Sequence, residues 1–381
     1  MPYYNLDQAQ QERVQMVSQF AQTRLSPGAR EREAAAAFNR ELWTQASSFG
    51  LTGLPFPEQF GGSNLNALDT MVIIEALGKH CEDSGLIFSL CAHMFAASVP
   101  IWRAQNEMTS RYLPSFINGT HICANAITEP EAGSDVFALK TLAVRDGDQY
   151  IINGSKCFVT NAPIADYFLI YATTDPARGF LGISAFLLPR ETAGLQVQAE
   201  LNKTGLRTSP WGTVYLNDCR VSAKTRLGAE GCGAALFHES MIWERGCLFA
   251  FYVGYMERTL EQCIDYARTR KQFGRVIGEN QSIQNRIVDM KLRLETSRAL
   301  LYRAGELHRD GKHCEEAISL AKLWISEAAV QSGSDAVQIF GGFAMITATG
   351  VDSLLRDALP ARVFSGSSEM QRILIAKSLG L

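Results

Sequence analysis

The hydrophobic period of this chain changes twice, and that limits its folds more than any other feature. The first third carries apolar residues at helical spacing. A helix starts at Leu6-Asp7-Gln8, with Val14, Val17, Phe20 and Ala21 along one stripe, and Pro27-Gly28 breaks it. Phe38, Leu42, Trp43 and Ala46 form the next stripe, with Gly50 just beyond its end. Two prolines and two glycines make Leu54 to Gly62 a loop. Ala67 to Gly78 and Gly85 to Ala97 read as buried helices, the second apolar on nearly all sides.

The middle third switches to short β-rich runs at Gln149–Gly154, Tyr167–Thr173, Ile183–Leu188 and Gly212–Leu216. Asn153-Gly154 is a hairpin-turn signal. An antiparallel β domain from Ile122 to about Thr225 is expected; the alternative is a decorated loop region. Helical spacing then returns. Phe237 to Thr269 is one long run without proline. Ile283, Ile287, Met290, Leu294 and Leu301 step along one face of a second helix. Glu315 to Gln338 makes a third, ended by Gly341-Gly342, and Glu369 to Leu379 a short last one. The expected architecture is α+β: an N-terminal helical domain (1–121), a middle antiparallel β domain (122–225) and a C-terminal four-helix bundle (226–381).

Composition excludes several functions. With 36 basic and 39 acidic side chains the net charge is −3, which excludes a broadly basic nucleic-acid binder. The N-terminus lacks the apolar core of a signal peptide, and no segment is expected to reach the ~18 apolar residues of a membrane span. The nine cysteines (81, 91, 123, 157, 219, 232, 247, 263, 314) form no Cys-x-x-Cys pair and do not cluster with His at zinc spacing. They read as reduced thiols packed as small hydrophobes in a cytoplasmic protein without a metal.

Four constellations stand out. In Ala126-Ile-Thr-Glu-Pro-Glu-Ala-Gly-Ser-Asp135, Gly133 and Ser134 suit close approach of a ligand to backbone amides; an ordinary polar turn is the alternative. Arg270-Lys-Gln-Phe-Gly274 sets an Arg beside a glycine turn, as a pyrophosphate site would, or as a basic helix end would. Gln338-Ile-Phe-Gly-Gly342 is either a close-approach site or a C-cap. Phe364-Ser-Gly-Ser-Ser-Glu-Met-Gln371 either binds an anion at a helix start or is a plain Ser N-cap.

In this order and spacing the four runs resemble the acyl-CoA dehydrogenase family of flavoproteins, over essentially the whole chain. The resemblance implies FAD between the β domain and the bundle, in a homotetramer built as a dimer of dimers. It implies that Ile127, Thr128, Gly133 and Ser134 line the flavin and its ribityl chain. Phe158 (usually Trp in relatives) and Thr160 are implied to contact the isoalloxazine. Arg270, Phe273, Gln281, Gln338 and Gly342 are implied to hold the pyrophosphate and adenosine side of a partner subunit's FAD, with Ser367 and Glu369 closing over the dinucleotide.

The family reaction removes a proton α to a thioester carbonyl and a hydride from the next carbon, so it needs a carboxylate base. Many relatives carry that Glu directly before the Gly of the C-terminal motif, where this chain has Ser365. The chain is then either inactive or has a relocated base. A minority of the family place the base on the long helix before an Arg, which matches Glu244-Arg245. Desolvation among Ile242, Trp243, Cys247 and Leu248 is expected to raise the pKa of Glu244; the bland reading is a solvated Glu paired with Arg245. The Ser365 N–H is implied to bind the thioester carbonyl.

Three departures weaken CoA recognition. Ile242 replaces an Asp that touches pantetheine in relatives, Phe364 replaces a Tyr, and Gly341-Gly-Phe-Ala344 replaces Gly-Gly-x-Gly. The chain is most similar to the branch that oxidises L-proline held as a thioester on the phosphopantetheine of an acyl or peptidyl carrier protein, with Arg245 near the tunnel. A short- or branched-chain acyl-CoA dehydrogenase and a non-catalytic flavin or thioester scaffold are the competing expectations.

Overall fold

The computed structural model describes residues 6–198 and 202–381. Seven helices precede the sheet among these residues: α1 (Gln8–Phe20), α2 (Ala29–Ala35), α3 (Arg40–Ser48), α4 (Ala67–His80), α5 (Ser84–Cys91), α6 (Val99–Ala104) and α7 (Glu107–Ile117). Their starts are set by side chains that accept the first free N–H groups. Asp7 closes a capping box on α1, Asn66 caps α4 and Asp83 caps α5. A π-helical stretch, Ala92–Ser98, carries α5 into α6, where Pro100 needs no N–H partner. The rod Ser84–Ala104 is therefore 21 residues long and apolar enough to cross a membrane. This corrects the expectation that no segment reaches that length, since Ser84 to Trp102 contains no acid, Lys or Arg. Its apolar window is 94% buried inside the protein, which makes it a core helix.

The sheet contains β1 (Cys123–Ala126), β2 (Leu142–Asp146), β3 (Gln149–Thr160), β4 (Tyr167–Thr173), β5 (Ile183–Pro189), β6 (Leu195–Gln198), β7 (Trp211–Ser222) and β8 (Arg226–Leu227). Its order is β6-β7-β3-β2-β4-β5-β8, with β1 added alongside β4. Most pairings are antiparallel, but β1 and β2 each run parallel to β4, so the sheet is mixed rather than purely antiparallel. The β2–β3 hairpin turns at Gly147-Asp148, not at Asn153-Gly154. Asn153-Gly154 instead marks a register shift inside the long strand β3, with Gly154 at φ 154° pressed against Thr141. Bulges and turns both need a residue free of Cβ, so the same pair signals either.

The C-terminal part holds α8 (Gly233–Trp243), α9 (Ala250–Thr269), the hairpin β9 (Lys271–Gln272) and β10 (Arg275–Val276), α10 (Gln281–Arg309), α11 (Glu315–Phe340), α12 (Ser353–Ala358) and α13 (Ser368–Ser378). The run expected as one helix from Phe237 starts at Gly233 and is interrupted by a π-turn, Glu244–Leu248. Helices α9, α10 and α11 pack together, with α13 against α11. Where α4 crosses α9 the backbones touch. A Cβ on Gly78 would overlap the Phe251 carbonyl, and one on Gly254 the Glu75 carbonyl. Beside this crossing Arg298 of α10 reaches Glu75 (2.7 Å) and Glu257 (2.6 Å).

The sheet is fastened to the helices by Asp357 of α12. Its carboxylate accepts from Ser84 Oγ at the start of α5 (2.5 Å) and from the Leu206 N–H before β7 (2.6 Å). Asn161, just past β3, donates to the Ser89 carbonyl of α5 (3.0 Å). These bonds set the end of β3 beside α5. Gly254→Ala is expected to destabilise the fold by about 1–3 kcal/mol through overpacking at the α4–α9 crossing. An unchanged denaturant midpoint would refute the backbone contact.

Candidate active site

Glu244 is the first residue of the π-turn between α8 and α9. That turn is seated on α4: a Cβ on Gly246 would lie 3.0 Å from Met71 Cε, and Cys247 Sγ lies 3.8 Å from the Ala67 carbonyl. Glu244 is buried, and the residues before it and before Ser365, Trp243 and Phe364, join an aromatic cluster of the core. Trp243 faces Phe95 at 6.5 Å between centroids and Trp102 at 6.4 Å, while Phe364 lies between Phe88 (4.9 Å) and Phe249 (5.3 Å). Burial pushes its carboxyl pKa up, and the Ser365 hydroxyl, Arg245 and Lys322 pull against that rise. Ser365 Oγ donates to Glu244 Oε1 in a short bond; Oε2 is buried without a partner among the described residues. Arg245 does not pair with Glu244 as the bland reading expects. Its Nε donates to the Ser365 carbonyl at 2.8 Å. Ser365 holds a positive φ of 55°, and Gln371 Nε2 reaches the next carbonyl, Gly366, at 3.0 Å. Glu244, Arg245 and Ser365 are thus one constellation across two distant parts of the chain.

A second group forms around the end of β3. The Cys157 N–H donates to the Thr128 carbonyl (2.9 Å), which lays the Ile127–Ser134 loop against the strand. The loop is fastened from below by a buried ion pair, Lys156 Nζ to Glu129 Oε1 at 2.7 Å, and by the Lys140 and Thr141 N–H groups donating to Glu129. Those bonds and the Lys156 ammonium keep Glu129 ionised against the cost of burial. Above this anchor Gly133 and Ser134 are exposed, and a Cβ on Gly133 would meet nothing within 4 Å. Phe158 takes a φ of 55°, remains 58% exposed and leans on Trp211 at 5.1 Å. Thr160 is half-buried at the strand's end.

A third group lies at the far end of the bundle. Arg270 ends α9, Phe273 is fully exposed at the tip of the β9–β10 hairpin with φ 51°, and Gln281 opens α10. The Tyr266–Phe340 stack (4.1 Å) brings the end of α11, with Gln338 and Gly342, to the same place. Among the described residues no hydrogen bond, ion pair or ring contact joins this third group to the β3 group. Ser367 caps α13 through the Met370 N–H (3.3 Å), and Glu369 stands exposed in its first turn.

Sequence reasoning missed the Glu129–Lys156 anchor, Gln371 and Lys322. A lone Lys inside the apolar run Ile318 to Ile325 was the available signal for the last.

Three models of acyl-CoA dehydrogenase domains match this chain: the N-terminal domain over residues 7–120, the middle domain over 124–219 and the C-terminal domain over 231–380. The chain belongs to the acyl-CoA dehydrogenase family. Among its relatives is an L-prolyl-[peptidyl-carrier protein] dehydrogenase of a Serratia species, 47% identical over 99% of this chain and 98% of that protein. The solved structure of PigA with FAD and proline superposes with a TM-score of 0.98 at 46% identity, covering all of both chains. The prolyl acyl carrier protein oxidase AnaB superposes at 0.96 with 43% identity, over 99% of this chain and all of that one.

Glu129→Gln strands the Lys156 ammonium in an apolar setting and is expected to cost about 3–5 kcal/mol. Combining it with Lys156→Met is expected to recover most of that loss. A double-mutant cycle from denaturant unfolding that shows simple additivity would refute the anchor.

Proposed function

We propose that this chain is a flavoenzyme that oxidises an L-prolyl thioester carried on the phosphopantetheine of a small acyl or peptidyl carrier protein. The product is a dehydroproline thioester. The observation that carries this reading is Glu244: a buried carboxylate with one oxygen held by Ser365 and the other unpartnered, on a turn whose Trp243, Cys247 and Leu248 belong to the core. The prolyl-specific relatives support the choice of thioester. So does Ile242, which packs against Ala304, Cys314 and Ile318 and offers pantetheine no polar group.

The residues of the β3 group fit FAD. Gly133 leaves its backbone open to close approach, Phe158 is largely exposed, and Thr128 and Thr160 are half-buried in the same group. Bound FAD supplies the hydride acceptor of the reaction. Glu244 takes the proton from the ring carbon next to the thioester carbonyl, with its pKa raised toward the working range of a general base. The Ser365 N–H donates to the thioester oxygen as negative charge builds there. Arg245 keeps that N–H in place by holding the carbonyl of the same residue. Ile127, Gly133 and Ser134 hold the flavin and ribityl side. Arg270, Phe273, Gln281, Gln338 and Gly342 serve the adenosine side of a neighbouring subunit's FAD, closed by Ser367 and Glu369. A fully exposed Phe273, with Phe343, Met345 and Ile346 also exposed, supports that assignment and a homotetramer. Nine cysteines without a disulfide support a cytoplasmic setting.

Incubation with prolyl-loaded carrier protein is expected to bleach the flavin anaerobically and release two mass units from the prolyl group. Bleaching by short acyl-CoAs alone would overturn the substrate. Glu244→Gln is expected to lower turnover by at least about 10²–10⁴-fold while the protein stays yellow; full turnover would remove Glu244 as the base. Ser365→Ala deletes a hydrogen bond to the ionised carboxylate, so the Glu244 pKa rises. Activity should then be lost at a higher pH on the acid side, and an unmoved acid limb would contradict this.

A further inference from the structure

A buried cation of α11 takes no part in the reaction as described. Lys322, in the middle of α11, is fully buried. Its Nζ donates to the Ala361 carbonyl at 3.0 Å and sits 5.2 Å from the centre of the Phe249 ring. The nearest acid on its own helix, Glu327, is taken up by Arg362 (3.0 Å) and Ser368 (2.6 Å). A buried ammonium bonded to a carbonyl and a ring face, and to no carboxylate among the described residues, is costly.

Two features give that cost a purpose. The first is the segment Ala361–Ser365. Lys322 holds its first carbonyl from α11, and Arg245 holds its last from the π-turn. The hydroxyl that grips Glu244 belongs to the last residue of this twice-pinned segment. The second is the field. The charged groups facing Lys322 are Arg245 and Glu244 on the π-turn, Glu327 on its own helix and Glu369 on α13. Glu327 is neutralised and Glu369 is exposed, so Glu244 is the buried anion that gains from the ammonium.

We propose that Lys322 is a positioning residue for proton abstraction, whose buried charge keeps Glu244 ionised and whose bond to Ala361 fixes the segment carrying Ser365. Burial, with Arg245 alongside, brings the Lys322 pKa down to about 7. Its charge is therefore present throughout the acid range, where Glu244 must lose its proton, and fades on the alkaline side. The proposal rests on Glu244 being the base.

The test is the pH profile of kcat for prolyl-carrier protein with the flavin-loaded enzyme. Lys322→Met should move the acid limb to higher pH, lower kcat near neutrality about tenfold and restore much of it above the new limb, with KM little changed. Lys322→Gln keeps a donor for Ala361 but no charge, and should still shift the limb to higher pH, by less than the Met variant. It also serves if the Met variant does not fold. A uniform fall in kcat with the limb in place would overturn the proposal, as would a Gln variant with the wild-type profile. Glu244→Gln run alongside separates the two readings: full turnover there sinks the base itself, whereas a dead Glu244→Gln with unmoved Lys322 profiles sinks only the role of Lys322.

Discussion

Desolvation of one carboxylate governs the arrangement around it. Glu244 could lie in water at little cost; buried, it needs partners for its charge and a wall that excludes solvent. Both come from parts of the chain far apart in sequence. Trp243 and Leu248, on either side of Glu244, share one apolar core with Phe88, Phe95 and Phe364, and Ser365 provides the hydrogen bond. The helix crossing at Gly78 and Gly254 and the bonds of Asp357 belong to the same helical frame.

The site divides strain and stability unevenly. Phe158, Phe273 and Ser365 all have positive φ without being glycine, and all three are candidate site residues. Each such conformation costs of order 1–3 kcal/mol and persists only when its surroundings over-determine it. For Ser365 the restraints are Arg245, Gln371 and Glu244 itself. For Phe158, which lies in a register break of β3, they are the β7 pairings of Lys156 and Val159 on either side and the Lys156–Glu129 pair two residues back. The hairpin tip at Phe273 has the type I′ pattern with Gly274, where the turn itself favours the conformation.

The fold was legible wherever one periodicity dominates. Tyr167–Thr173 reads as a strand because Tyr167, Phe168, Ile170, Tyr171 and Thr173 are strongly β-forming, and its five central residues are buried. Helices α1, α3, α10 and α11 were legible from their stripes and ends, whereas the short α2, α7 and α12 were not read. Pairing direction was not: nothing local in Cys123–Ala126 reveals that it lies parallel to β4, because register is decided by partners dozens of residues away. At the site, Glu244 stood out as an acid in an apolar stretch, whereas Arg245 looked like its ion-pair partner and turned out to hold a backbone carbonyl. Glu129 was hidden inside a motif that seemed to concern glycines, and its role appears only when Lys156 comes to rest beneath it.

The π-turn at Glu244–Leu248 has a consequence for how such a helix can change over time. A π-turn is an α-helix carrying one surplus residue, and each residue advances a helix by about 100°. The surplus lets α8 and α9 each keep the face that suits its own neighbours, although no single straight helix would present both. Glu244 sits at the joint between these two phases. Loss or gain of one residue there would swing the carboxylate to another side while leaving both flanking helices intact, so the location of the acid is set by a length as well as by an identity.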